Sequence, residues 1–112
     1  MITASLTTNL IYKEDKPAIT LLMETNSTKE IRIVMRKNQE MKEHTAPKPI
    51  VVEIFEGEIL FGVNNKELQL KKGDLIALDA NVPHNLFCEK DAIVRLTISK
   101  TDSISRVNDV VS

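Results

Sequence analysis

The run Pro49-Ile50-Val51-Val52-Glu53-Ile54-Phe55-Glu56-Gly57-Glu58-Ile59-Leu60-Phe61 decides how this chain folds. Seven of its thirteen residues are β-branched or aromatic, the kinds that pack well on a pleated sheet. Gly57 interrupts the run, and a residue without Cβ permits a bulge or a sharp bend, so two strand halves meeting at a sheet corner are predicted. Working toward the C-terminus, Asn64-Asn65 tolerates positive φ and supplies a tight hairpin turn before Glu67 to Leu70. Lys71-Lys72-Gly73-Asp74 reads as a turn into Leu75 to Leu78, and Asp79 to Pro83 as a loop into a strand from His84 to Cys88. Glu89-Lys90-Asp91 reads as a last turn before Ala92 to Ser99, in which Val94, Leu96 and Ile98 share a face.

Toward the N-terminus, Ile31, Ile33 and Met35 alternate with Arg32 and Arg36, which predicts a half-buried strand within Lys29 to Lys37. Leu6 to Tyr12 and Ile19 to Met23 read as edge strands, with a hinge at Lys13 to Pro17. Thr101 to Ser112 reads either as a turn of helix or as a disordered tail. Thirty of the 112 residues are Ile, Val or Thr. Short strands at a spacing of eight to twelve residues, without long helical periodicity, predict an all-β sandwich or barrel.

The length allows one domain over residues 1–112, with an N-terminal arm at 1–28 and a tail at 100–112. A formal charge of -1 supplies no field for phosphate backbones, so no nucleic-acid partner is expected. No apolar run approaches the roughly 20 residues of a membrane span. One cysteine, Cys88, closes no intramolecular disulfide, and no basic and apolar leader pattern opens the chain. A cytoplasmic, reducing compartment is the expectation.

The stretch Met41-Lys42-Glu43-His44-Thr45-Ala46-Pro47-Lys48-Pro49-Ile50, continued by Val51 to Glu58, resembles the first motif of the cupin superfamily. The run Leu70-Lys71-Lys72-Gly73-Asp74-Leu75-Ile76-Ala77-Leu78-Asp79-Ala80-Asn81-Val82-Pro83-His84 resembles the second. Together they cover about residues 37–88, roughly half of the chain. The resemblance implies a small single-domain, RmlC-like cupin, a double-stranded β-helix or jelly-roll barrel.

In metal-binding cupins the first motif supplies His-x-His and then a Glu, and the second motif a further His. The resemblance places His44 and His84 on two of these four positions, while Ala46 and Ile50 stand on the others. A divalent transition metal (Zn, Fe, Mn, Ni or Cu) on His44 and His84 therefore lacks half of the usual set. Cys88, four residues after His84 and so on the same strand face, is a candidate third ligand. Its alternative reading is a small buried core residue. Asp79 is explained by a local turn, and Glu43, next to His44, should face away from the barrel. Glu53 should do the same, toward the partner sheet of a dimer.

Two functions stay open. The first is a barrel that holds a small molecule, with His44 and His84 as polar anchors in a pocket lined by Ile50, Val52, Ile54, Leu86 and Cys88. The second is a metal-dependent enzyme of the dioxygenase, isomerase or decarboxylase kind, using His44, His84 and Cys88 or water. Whether the chain is an enzyme stays undecided at this point. A homodimer is expected in either case, with Leu6 to Tyr12 adding a strand to a neighbour.

Overall fold

A computed structural model describes all residues, 1–112. In chain order the strands are β1 (Ala18–Glu24), β2 (Thr28–Met35), β3 (Glu40–His44), β4 (Ile50–Val63), β5 (Lys66–Lys71), β6 (Leu75–Leu78) and β7 (His84–Ser99). A single helix, α1 (Ile104–Val111), follows them. The architecture grows from β4 and β7, which are 14 and 16 residues long and pair antiparallel from Ile50↔Ile98 to Val63↔His84. Their register shifts around Glu56 to Ile59, and there the ribbon turns a corner. On one side of the corner β4 takes β6 and β7 takes β2, which in turn takes β1. On the other side β4 takes β5 and β7 takes β3. One bent ribbon thus builds the two facing sheets of a jelly-roll barrel.

Gly57 sits at that corner with φ +88°. A Cβ there would lie 2.3 Å from the Asp91 carbonyl oxygen, so the position needs glycine for conformation and for space. The predicted bend is therefore real, although the run forms one strand and not two. The hairpin at Asn64-Asn65 is as predicted, with φ 52° and 60°, and Gly73 turns the chain at φ +94°. Between the sheets the core is apolar, and Ile31, Met35, Ile54, Ile59, Phe61 and Val94 are shut off from solvent.

Three expectations are corrected, and one of the two readings left open for the tail is borne out. Glu89-Lys90-Asp91 is not a turn: β7 continues through it as an unbroken strand. Its charges are satisfied laterally, by Lys90 on Glu58 at 2.6 Å and by the Lys37 N–H on the Asp91 carboxylate at 2.8 Å. β2 is not half-buried, because its outward residues Glu30, Arg32 and Val34 are covered as well. Part of the cover is Leu6 to Tyr12, which forms no strand. Arg32 instead grips this segment by its carbonyls, donating to Thr8 O at 2.9 Å and Asn9 O at 3.2 Å. Finally, the tail is an ordered helix: the Ser103 hydroxyl caps it by accepting from the Arg106 N–H at 3.1 Å.

Candidate functional site

His44 ends β3 and His84 begins β7, and the two residues are directly paired across those strands. A bulge lies between Met41 and His44, where two residues on β3, Lys42 and Glu43, oppose one on β7, Asn85. It turns Met41 and His44 to the same interior face despite their odd separation, while Glu43 stays exposed as expected. The imidazole centroids are 4.2 Å apart, and His84 also stacks on Phe61 at 5.6 Å.

Each ring is anchored in the same way. His44 Nδ1 lies 2.7 Å from the Lys42 carbonyl oxygen, and His84 Nδ1 lies 2.9 Å from that of Val82. A carbonyl only accepts, so both Nδ1 atoms carry the proton and both Nε2 atoms are bare acceptors. Burial holds both imidazoles below the usual histidine range; the anchoring carbonyls oppose this, and the charge of Arg106 adds to it. For His44 the neighbouring His84 pushes the same way. The pair is therefore neutral at neutral pH.

Ile33, Met41, Ile50, Val52, Leu86, Val94 and Leu96 form the apolar walls around the two rings. The roof is α1, which contributes Val107 and Arg106. Arg106 is held by the Asp102 carboxylate, with Nε and Nη2 each 2.7 Å from one of its oxygens. Its Nη1 reaches the Thr45 carbonyl at 3.3 Å. Lys29 fastens the same corner by donating to the Asp102 carbonyl. What remains open inside is about 20 Å³, room for one water. A larger concavity of about 520 Å³ lies on the outside, near Glu43, Asn64 and Asn85, and touches neither histidine.

Of the residues expected to line a pocket, His44, His84, Ile50, Val52 and Leu86 surround this cavity. Ile54 and Cys88 do not. Both are fully buried, with Cys88 opposite Ile59 near the corner of the ribbon. Its thiol donates to the Lys90 carbonyl at 3.0 Å, and burial, with Asp91 adding to it, pushes its pKa up to about 11. It is a core residue carrying its proton. Asp79 is exposed, and the turn is made at Asn81, whose φ is 66° and whose N–H donates to the Ala46 carbonyl at 2.7 Å. Arg106 and Val107 are the site residues missed from the sequence. Their signal was Ser103 followed by Ile104, Val107 and Val111 at helical spacing.

The sequence matches the cupin domain family over residues 31–99, more than half of the chain. The chain is a cupin. Its fold resembles that of an RmlC-like cupin from Desulfovibrio desulfuricans at a TM-score of 0.78 and 18% identity, covering 88% of this chain and 96% of the other. TT1209 from Thermus thermophilus gives 0.79 and 21%, over 88% and 98% of the two chains. An RmlC-like cupin from Shewanella frigidimarina gives 0.75 and 20%, over 88% of each. At such identities the likeness is one of fold alone. No curated protein matches the sequence.

The donor set of this cupin does not fit a tightly held metal. No third His, Cys, Asp or Glu joins His44 and His84. Ala46 and Ile50, on the two remaining ligand positions of the motif, are buried hydrocarbon. Arg106 adds a cation to the same cavity wall. Selective transition-metal sites depend on the number and geometry of their donors, and this one has two.

Proposed function

We propose that this cupin holds a small organic molecule in its barrel without a metal, with His44 and His84 as the polar anchors. One observation supports the reading above all: both Nδ1–H groups are committed to backbone carbonyls, which leaves two bare Nε2 acceptors in an apolar chamber. That is a small number of placed polar groups in a hydrophobic lining, the usual make-up of a small-molecule site. The metal-enzyme alternative draws on the same contacts, because ligating histidines also donate their second N–H to a carbonyl. It lacks the third donor.

Elemental analysis separates the two. The protein, purified without a tag or chelator and incubated with Mn, Fe, Ni, Cu or Zn, is expected to retain well under one equivalent after desalting. One equivalent of metal, lost in both His44→Ala and His84→Ala, overturns the metal-free reading. For assembly, we propose a homodimer that covers the outer sheet face carrying Val51, Leu75 and Ala77. Leu75 is 65% exposed and Val51 38%, a high figure for aliphatic side chains in adjacent strands.

A further inference from the structure

The unused hydrogen-bonding capacity of the cavity wall defines a ligand class, and this step rests on the small-molecule reading above. Arg106 has five N–H groups. Asp102 takes two of them and the Thr45 carbonyl a third, which leaves one on Nη1 and one on Nη2. The two imidazoles beside it accept and do not donate, since their protons are already bound at Nδ1. Arg106, with two N–H groups unused, therefore lines the same apolar chamber as two neutral rings with free acceptors.

A molecule that satisfies both must offer hydrogen-bond acceptors to the guanidinium and a hydrogen-bond donor to the imidazoles. A carboxylate matches the planar fork with two oxygens. A hydroxyl on a nearby carbon supplies the donor. We propose that the α1 end of this barrel binds a short hydroxycarboxylic acid, with the carboxylate on the unused N–H groups of Arg106 and the hydroxyl on Nε2 of His44 or His84.

The present opening of about 20 Å³ admits a water but not such an acid, so the roof has to give. Its construction allows that. The helix has eight residues, too short to be stable on its own. It packs chiefly on β3 and β1, and Val107 is its one fully buried side chain. The Asp102–Arg106 pair is fixed at the base of the helix, where Lys29 also holds the backbone. Outward tilting of α1 from that base withdraws Val107 and leaves Arg106 on its carboxylate partner.

The test titrates the full-length protein with L-lactate, L-lactamide, propionate and propane-1,2-diol. Binding is read from the Hε1 NMR signals of the two histidine rings, which the sequence makes assignable by single substitution. L-Lactate is expected to shift both signals saturably, and at least tenfold more tightly than lactamide, which lacks the charge, or propionate, which lacks the hydroxyl. Val107→Ala, which frees space, should tighten lactate. Arg106→Gln should erase the preference for lactate over lactamide, and Arg106→Lys, which keeps the charge and loses the fork, should reduce it.

Equal binding of lactate and lactamide by the native protein overturns the carboxylate class and leaves the small-molecule reading standing. So does a response to the diol alone. No response to any of the four probes in either the native protein or Val107→Ala, together with a stoichiometric response to Zn(II), overturns both.

Discussion

Replacing Gly57 by alanine strikes the corner on which both sheets depend, and Gly73 provides an internal control. Both glycines lie in the left-handed region, at φ +88° and +94°, so alanine at either position carries the left-handed penalty of about 1–2 kcal/mol. Both substitutions also restrict the unfolded chain to a similar degree, which offsets about 0.4–1 kcal/mol in each case. The surroundings differ. Nothing lies within 4 Å of a Cβ at Gly73, whereas at Gly57 it would meet Asp91 O at 2.3 Å and Ala92 Cα at 2.6 Å. Those are backbone atoms of the partner strand, and forcing them apart adds about 1–3 kcal/mol on the scale of overpacked interiors. Urea unfolding of both variants, followed by circular dichroism at one protein concentration, is expected to place Gly57→Ala below Gly73→Ala by that difference, with m unchanged. Equal losses within about 0.5 kcal/mol would show that the ribbon does not turn on a tight contact at Gly57, and the account of the corner would fall.

The histidines predict a pH dependence. Their folded-state pKa values lie below the free value of 6.5, so the unfolded chain binds protons first, and stability is full above 6.5 and falls as pH drops toward the folded values. Unfolding midpoints measured from pH 7.5 to 5 should show this loss in the native protein and a smaller one in His84→Ala; an unchanged slope counts against buried neutral rings. Asp102→Ala should cost about 1–3 kcal/mol by stranding the Arg106 guanidinium, and amide exchange should quicken in residues 103–112 first. Arg32→Met should release the arm it grips, making residues 6–12 the earliest site of limited proteolysis; a cleavage pattern like that of the native protein contradicts the clamp. Light scattering at micromolar concentration should return twice 12.6 kDa, and a value at the monomer mass rejects the dimer.

Much of the barrel was legible because its local rules agree with one another. Asn64-Asn65 and Gly73 sit at positive φ, where their chemistry is favoured, and the alternation along β5 and in Val94, Leu96 and Ile98 survives into the folded state. The misreadings came where long-range partners override local character. Glu89-Lys90-Asp91 looks like a turn because it is charged, yet Glu58 and the Lys37 N–H let it continue as strand. Arg32 looked solvent-facing by alternation and is buried, because a segment 23 to 26 residues away brings it carbonyl oxygens. The histidine pair was legible because the only two histidines stand at the two motif positions, and β3 and β7 bring them side by side. Cys88 misled because spacing gives the face of a strand but not its bend: four residues beyond His84, β7 has already reached the corner.

Ile50, at one of the motif positions, and the residues of α1 act on the same chamber. A divalent cation in a low-dielectric barrel needs donors that repay its lost hydration, and carboxylate does this best by adding negative charge. Here the carboxylate position is held by Ile50, and Asp102, at the base of α1, is spent on Arg106. The Asp102–Arg106 pair brings no net charge, so the chamber stays electrically neutral with both imidazoles unprotonated. Such a chamber gains little by admitting a metal ion beside a guanidinium. A ligand that fills the two idle N–H groups and the two idle Nε2 acceptors at once suits it better, because hydrogen bonds to a charged group contribute about 1.5–3 kcal/mol each. The same pairing that weakens the case for a metal thus creates the recognition edge, and it does so with a residue outside both motifs.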